Sequence, residues 1–318
     1  MSAPSVLTGP PRESRRILLD GMITWTTVDG DELVTGDGRR VAIDEARHLP
    51  PCEPTKILAV HLNYVSRATE FKRSLEGETP NFFQKPVSSL NSHRGHLIRP
   101  ADCQWLNYEG EIAAIVGHPM RNVAPEDVWS HLAGFAPAND VGAHDFRDTD
   151  LGSMLRVKGQ DSFCPIGPGI VSGVDIREST LRTYINGIVV QAAPVSEMVW
   201  GIDYLLADLC RHITLVPGDV VLTGTPWYSR PMDVGDLVEV EVEGVGRLSN
   251  LVVEGPAPAH EVGHQPTSSK TVRAVAMGKD YFRAKNQGLG QTARDYFKVR
   301  DEYLQHNRAE GPQPLPRP

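Results

Sequence analysis

The sequence predicts a β-rich α+β protein: a rolled, mixed sheet or barrel, a small β subdomain before it and a helical extension after it. Three observations carry this. Short apolar, β-branched runs recur from 56 to 255, in "KILAVHLNY", "EGEIAAIVG", "AGFAPAND", "RTYINGIVVQ", "DVVLTGTP", "DLVEVEVEGVG" and "SNLVVEG", with turn residues between them. Helical spacing of apolar residues is clear in that span at 198–212, "MVWGIDYLLADLCRH", too little helix for a βαβ sandwich. After 254 the composition shifts to Pro, Gly and Ser, and then to a charged helical pattern.

Taken in order, residues 1–14 are rich in Pro and Ser and read as disordered. Residues 15–54 read as short strands, with hairpin signals at Asp29-Gly30 and Asp37-Gly38, ended by "LPPCEP". The main unit spans 55–255, with a polar, helix-compatible stretch at 66–76 after its first apolar run. Residues 256–269 form a linker. Residues 270–318 are a helical extension ending in a Pro-rich tail, with Tyr296, Phe297, Val299, Tyr303 and Leu304 as a partial apolar stripe suited to packing or subunit contact.

Composition bounds the partners. A formal charge of −8 argues against nucleic acid or an anionic membrane surface, both of which need a basic face. A small anionic ligand stays possible, because one metal ion and a few local cations reverse the sign of a cleft. Cys52, Cys103, Cys164 and Cys210 are far apart and form no CxxC pair, which fits a reducing cytoplasm better than a zinc site or disulfide framework. No run of about 18 apolar residues could span a bilayer. His93, His96, His260 and His264 fall in loop-like segments without a third ligand at zinc spacing and read as surface residues.

The chemistry concentrates in "NYEGEIAAIVG". Glu109 and Glu111 are two residues apart on a strand, so both side chains point the same way and repel unless a cation or solvent separates them. Asp140 ends a second apolar run, "LAGFAPAND", and is a third candidate ligand. Three oxygen ligands leave about three octahedral positions open, which suits Mg²⁺ or Mn²⁺. By itself an ExE pair more often faces solvent.

Read together, "LNYVSRATE" (62–70), "FFQKPVSSL" (82–90), "NYEGEIAAIVG" (107–117), "PANDVGAHD" (137–145), "KGQDSFCPIGPGIV" (158–171), "INGIVVQ" (185–191), "PGDVVLTGTP" (217–226) and "GDLVEVEVEGVGRLSN" (235–250) resemble the fumarylacetoacetate hydrolase family in order and spacing. The resemblance covers about 200 residues and implies that family's rolled mixed β-sheet or barrel, a homodimer, and one Mg²⁺ or Mn²⁺ per site. It implies metal ligands at Glu109, Glu111 and Asp140, an active-site lysine at Lys158, and substrate contacts at Tyr64, Lys85, Gln191 and Thr225. Each has a structural alternative: Lys158 pairing with Asp161, Gln191 on a strand surface, Thr225 shaping a turn.

One departure from the pattern is informative. Hydrolytic members carry a histidine three residues after the tyrosine of the "NY" motif and a glutamate three further on, a pair that activates water. Here the positions are Tyr64, Arg67 and Glu70, and arginine stays protonated near neutrality. The departure implies the isomerase and decarboxylase branch, which acts on 2-hydroxyhepta-2,4-diene-1,7-dioate and 5-oxopent-3-ene-1,2,5-tricarboxylate in aromatic catabolism. Arg67 then grips a distal carboxylate and Glu70 carries the proton from a lid at 65–80, unless Arg67 is only a surface partner of Glu70. The alternatives are a C–C hydrolase with Glu70, His61 or His144 as base, and a non-catalytic keto-acid-binding paralogue.

Overall fold

The structure, a computed structural model, describes residues 6, 7, 9–278 and 292–310, without the side chains of 303 and 306–310. A 13-stranded mixed sheet runs in the order Arg40–Ala42, Glu32–Thr35, Met22–Asp29, Arg12–Leu19, Ile170–Ser172, Leu132–Asn139, Gly110–Val116, Val220–Leu222, Ile57–Val60, Phe82–Lys85. Arg47–Leu49, Leu90–Ser92 and Cys164–Ile166 pair off this path. Most pairs are antiparallel, but Val220–Leu222 runs parallel to Ile57–Val60. A five-stranded sheet, Ile188–Pro194, Thr180–Ile185, Leu237–Val242, Gly246–Glu254 and Leu97–Arg99, lies against the first.

The mixed β-rich fold is as expected, but neither sheet closes into a barrel among the described residues. Closure is not needed, because the second sheet and one helix cover the apolar face of the first. Ile112, Ala114 and Val116 of the strand Gly110–Val116 pack with Leu181, Val240 and Leu248 of the five-stranded sheet and with Leu205, Leu206 and Leu209 of the helix Ile202–His212. Ala113 and Ile115 point the other way, into a cluster with Ile57, Ala59, Val220 and Leu222. Alternate residues go to opposite faces of a strand, and here both faces are core. All seven residues of Gly110–Val116 are buried.

The N-terminal strands are not a detached unit. Arg12–Leu19 pairs with Ile170–Ser172 and continues the large sheet, while Ile17, Leu33 and Ala46 keep a small core of their own. The hairpins at Asp29-Gly30 and between Glu32–Thr35 and Arg40–Ala42 form as predicted; a third, through Asp20 and Gly21 in left-handed conformations, went unrecognised in the sequence. The expected disorder of 1–14 fails within the described residues, since Val6 is buried in the main core and a strand starts at Arg12. Residues 1–5, 8 and the tail 311–318 lie outside the described residues. In the extension, the helices Lys270–Met277 and Ala293–Glu310 pack Val272, Ala276, Met277, Ala293, Tyr296 and Phe297 around the buried Trp105.

Of the histidines read as surface, His93 is half-buried and meets buried His48 edge to face, with ring centroids 5.0 Å apart. Burial and the Arg15 charge push His48 down to about 4, and burial and His48 push His93 down to about 3. Both are therefore neutral at pH 7. In the unfolded chain they titrate near 6.5, so the unfolded state binds more protons as pH falls below that value, and stability drops. The melting temperature is expected to decline as pH is lowered from 6.5 to 4, with a shallower slope in His48→Gln. Equal slopes would place the acid sensitivity elsewhere.

Candidate metal centre and its cavity

Antiparallel register builds the site. Gly110 pairs with Asn139, so Glu109 and Asp140 leave the two strands side by side, and the Asp140 amide donates to the Glu109 carbonyl at 2.8 Å. The Asn139 side chain accepts from the Glu109 amide at 2.8 Å, fixing the corner. Glu111 sits one residue inside the strand. One carboxylate oxygen from each of Glu109, Glu111 and Asp140 lies within 4.8 Å of the others, and all three residues are buried.

Each carboxylate is tied down. The Gly224 amide donates to Glu111 Oε2 at 2.7 Å from a residue with φ +91°, where a Cβ would also lie 2.8 Å from the Asn63 side chain; only glycine suits this position. Lys85 Nζ donates to Asp140 Oδ1 at 2.6 Å and to the Lys158 carbonyl. Lys158 Nζ contacts Glu109 Oε2 at 2.6 Å, Asp140 Oδ2 at 2.8 Å and the Asp140 carbonyl at 2.7 Å. Gly142 leaves room for that lysine, since a Cβ there would come within 3.4 Å of its Nζ and closer to its Cδ and Cε. The alternative pairing of Lys158 with Asp161 does not occur; Asp161 is exposed.

The donor set fits a hard divalent cation. Burial, together with the charges of Asp140 and Glu109, pushes the Glu111 carboxyl well above its ordinary range. Burial also opposes ionisation of Glu109, but Lys158 and Arg67 overcome it and hold that carboxyl below its usual range. The same contacts raise Lys158 against its burial. A cation held among the three oxygens would supply the charge that Glu111 lacks.

These groups form one wall of a cavity of about 410 Å³. Thr225, Arg67, His61, His144 and Arg147 also line it, with Phe71, Phe83, Met154, Trp200 and Val275 as apolar walls. Several sequence-predicted contacts lie behind this surface. Gln191 is buried and accepts from the Gly110 amide at 3.2 Å, while its amide nitrogen donates to Thr225 Oγ1, Pro226 O and Trp227 O; it braces the turn and is not among the residues lining the cavity. Lys85 positions Asp140, and Tyr64 is fully buried near Glu111.

The pair at Arg67 and Glu70 is neither on the surface nor on a free lid. The helix Val65–Glu70 is anchored by its Ser66 amide to Glu197 Oε1 at 2.8 Å. Arg67 reaches Glu70 Oε2 at 2.6 Å and Glu109 Oε1 at 3.2 Å, so its end nitrogens already serve two acids. Glu70 is also gripped by Arg230 at 2.7 Å. Burial opposes its ionisation, yet the two guanidiniums hold its carboxyl below the usual range. Glu70, expected from the sequence to carry the proton, is not among the residues lining the cavity, and its contacts place it to orient Arg67.

Arg147 carries no motif signal in the sequence, and His144 stands there only as an alternative base. Arg147 lines the cavity and has no ion-pair partner among the described residues. His144 is 2% exposed, and neither ring nitrogen has a hydrogen-bond partner among the described residues. Burial and the charge of Arg147 hold it neutral, as burial and Lys158 do for His61. Both residues stand in or just beyond "PANDVGAHD", which carries Asp140, so proximity to that ligand was the available signal.

A two-sheet β fold carrying this buried acidic triad is that of the fumarylacetoacetate hydrolase family. The family's "Fumarylacetoacetate (FAA) hydrolase C-terminal" region matches residues 56–253, and the chain belongs to it. It is 36% identical over 227 residues to a protein of Archaeoglobus fulgidus, covering 71% of this chain and 90% of that one. It is 34% identical over 220 residues to the Escherichia coli homoprotocatechuate catabolism bifunctional isomerase/decarboxylase, covering 68% of this chain but 51% of the relative. The solved 5-carboxymethyl-2-hydroxymuconate delta-isomerase of Mycobacterium smegmatis superposes with a TM-score of 0.71 at 33% identity, covering 77% of this chain and 99% of that one.

Two outcomes test the site. Asp140→Asn should weaken Mn²⁺ binding, measured by calorimetry, by about 100-fold or more; wild-type affinity would remove Asp140 from the ligand set. Glu70→Leu should cost about 3–5 kcal/mol of folding stability, because it strands buried guanidiniums; a loss under 1 kcal/mol would contradict the buried anchor.

Proposed function

We propose that this chain is a divalent-metal-dependent isomerase, with or without decarboxylation, of an unsaturated 2-hydroxy or 2-oxo dicarboxylic acid from aromatic-compound catabolism. The observation that carries the reading is a single cavity combining the buried triad with an unpaired Arg147, while Glu70 is locked between Arg67 and Arg230. The names of the Escherichia coli and Mycobacterium smegmatis relatives point the same way. Mg²⁺ or Mn²⁺ held by Glu109, Glu111 and Asp140 supplies Lewis-acid polarisation of a 2-oxo acid.

The chain's own residues do the rest. Lys158 keeps a positive charge at the triad, where negative charge develops when a proton or CO₂ leaves. Arg147, whose guanidinium contacts Met154 Sδ at 3.9 Å but pairs with no carboxylate among the described residues, is available to a second carboxylate, the role the sequence suggests for Arg67. Isomerisation needs a proton taken from one substrate atom and returned to another. Neutral His61 and His144 face the cavity in the form that accepts a proton, and the apolar walls limit access of water. The reading extends to a cytoplasmic homodimer, which sedimentation and fractionation test.

Assay with 2-hydroxyhepta-2,4-diene-1,7-dioate and Mg²⁺ should yield the isomeric keto acid without cleavage of a carbon chain. Two carbon fragments would show a hydrolase, and tight oxalate binding without turnover would show a binding paralogue. At least one of His61→Asn and His144→Asn should lower kcat about 100-fold with oxalate affinity retained; full activity in both would exclude imidazole as the proton carrier. Arg147→Gln should raise KM for the dicarboxylate more than tenfold and leave the calorimetric affinity for pyruvate nearly unchanged.

A further inference from the structure

The helix Lys270–Met277 lies beyond the family match, which ends at residue 253, yet it forms part of the cavity wall. Its capping residue Ser269 accepts from the Val272 amide at 3.1 Å, and four contacts fasten it to the segments that build the site. Trp105 Nε1 donates to Ser268 Oγ at 2.9 Å, and Thr267 donates from its amide and its hydroxyl to the Asp145 carbonyl at 3.0 and 3.1 Å. Asn107 Nδ2 donates to the Ala276 carbonyl at 2.9 Å, one residue from Val275. Val272, Ala276 and Met277 turn into the Trp105 cluster, which leaves half-buried Val275 to face the cavity. At the end of the helix Gly278 is so close to the Glu70–Arg230 pair that a Cβ would lie 2.6 Å from Glu70 Oε1 and 2.8 Å from Arg230 Nη1.

We propose that this helix is a fixed specificity wall, in which Val275 limits the length and bulk of the 2-oxo acid that the cavity accepts. The inference rests on the keto-acid reading of the cavity and adds to it a selecting residue from outside the family's shared region. A short ligand such as oxalate is held at the triad and senses Val275 little. A longer 2-oxo dicarboxylate must share the remaining volume with the valine side chain. The effect of one methyl-sized change in an apolar wall is about tenfold in discrimination.

The test uses the full Mn²⁺-loaded chain and its Val275→Ala and Val275→Phe variants, with calorimetric binding of oxalate and of 2-oxoadipate, and melting curves to confirm folding. The expected result is oxalate affinity within threefold of wild type in both variants. Binding of 2-oxoadipate relative to oxalate should shift about tenfold in opposite directions, tighter in Val275→Ala and weaker in Val275→Phe. An unchanged ratio in Val275→Ala, with oxalate still bound, would overturn the wall while leaving the keto-acid reading intact. Absence of metal-dependent binding of either ligand to the wild type would overturn both.

Discussion

Three carboxylates gathered in a buried corner repel one another where little water screens them, and the architecture around Glu109, Glu111 and Asp140 exists to hold that arrangement in place. Flexible supports would let the acids swing apart into solvent. Here Glu111 rises from a strand buried on both faces, and Glu109 and Asp140 are joined backbone to backbone at the paired ends of two core strands. Packing energy spread over the whole core is thereby set against a local electrostatic cost. Lys85, Lys158 and Arg67 balance part of the charge, but Glu111 has no cationic side chain of its own within salt-bridge distance among the described residues. That asymmetry leaves the corner short of positive charge, as a group that could hold a divalent cation would be.

Around the corner, side chains divide into those that face the cavity and those that aim others. Arg147, His61, His144, Thr225 and Lys158 face it. Lys85 aims Asp140, Gln191 braces the turn that carries Thr225, and Glu70 aims Arg67. Every polar group in the second set is buried, where a lost partner costs far more than an intact contact contributes. Such residues keep a site in register without touching its ligand, and by motif alone they are easily mistaken for residues that do.

The replacement of a histidine by Arg67 is the clearest link between sequence and chemistry. A permanently charged guanidinium changes what its neighbour can do: Glu70, expected to move protons, is fixed as an anion by Arg67 and Arg230 together. The imidazoles of His61 and His144, which burial keeps neutral, line the same cavity. Arg147, on the short helix Arg147–Asp150, is a cavity-lining cation without a carboxylate partner among the described residues.

The β-rich class, the N-terminal hairpins, the helix near 202–212 and the three acids were legible in the sequence. Alternation, turn chemistry and motif spacing are local and survive translation into strands. What only the tertiary structure decided was which residues meet. Strand register set Glu109 beside Asp140, sheet-on-sheet packing took the place of barrel closure, and burial put Gln191 and Lys85, expected substrate contacts, and Glu70, an expected proton carrier, against the residues they brace. The place of Val275 on the cavity lining was beyond any motif, because the helix that carries it lies more than a hundred residues from Glu109, Glu111 and Asp140 in sequence. Local pattern fixes the elements; the direction a buried side chain faces depends on neighbours distant in sequence, and those are set by packing.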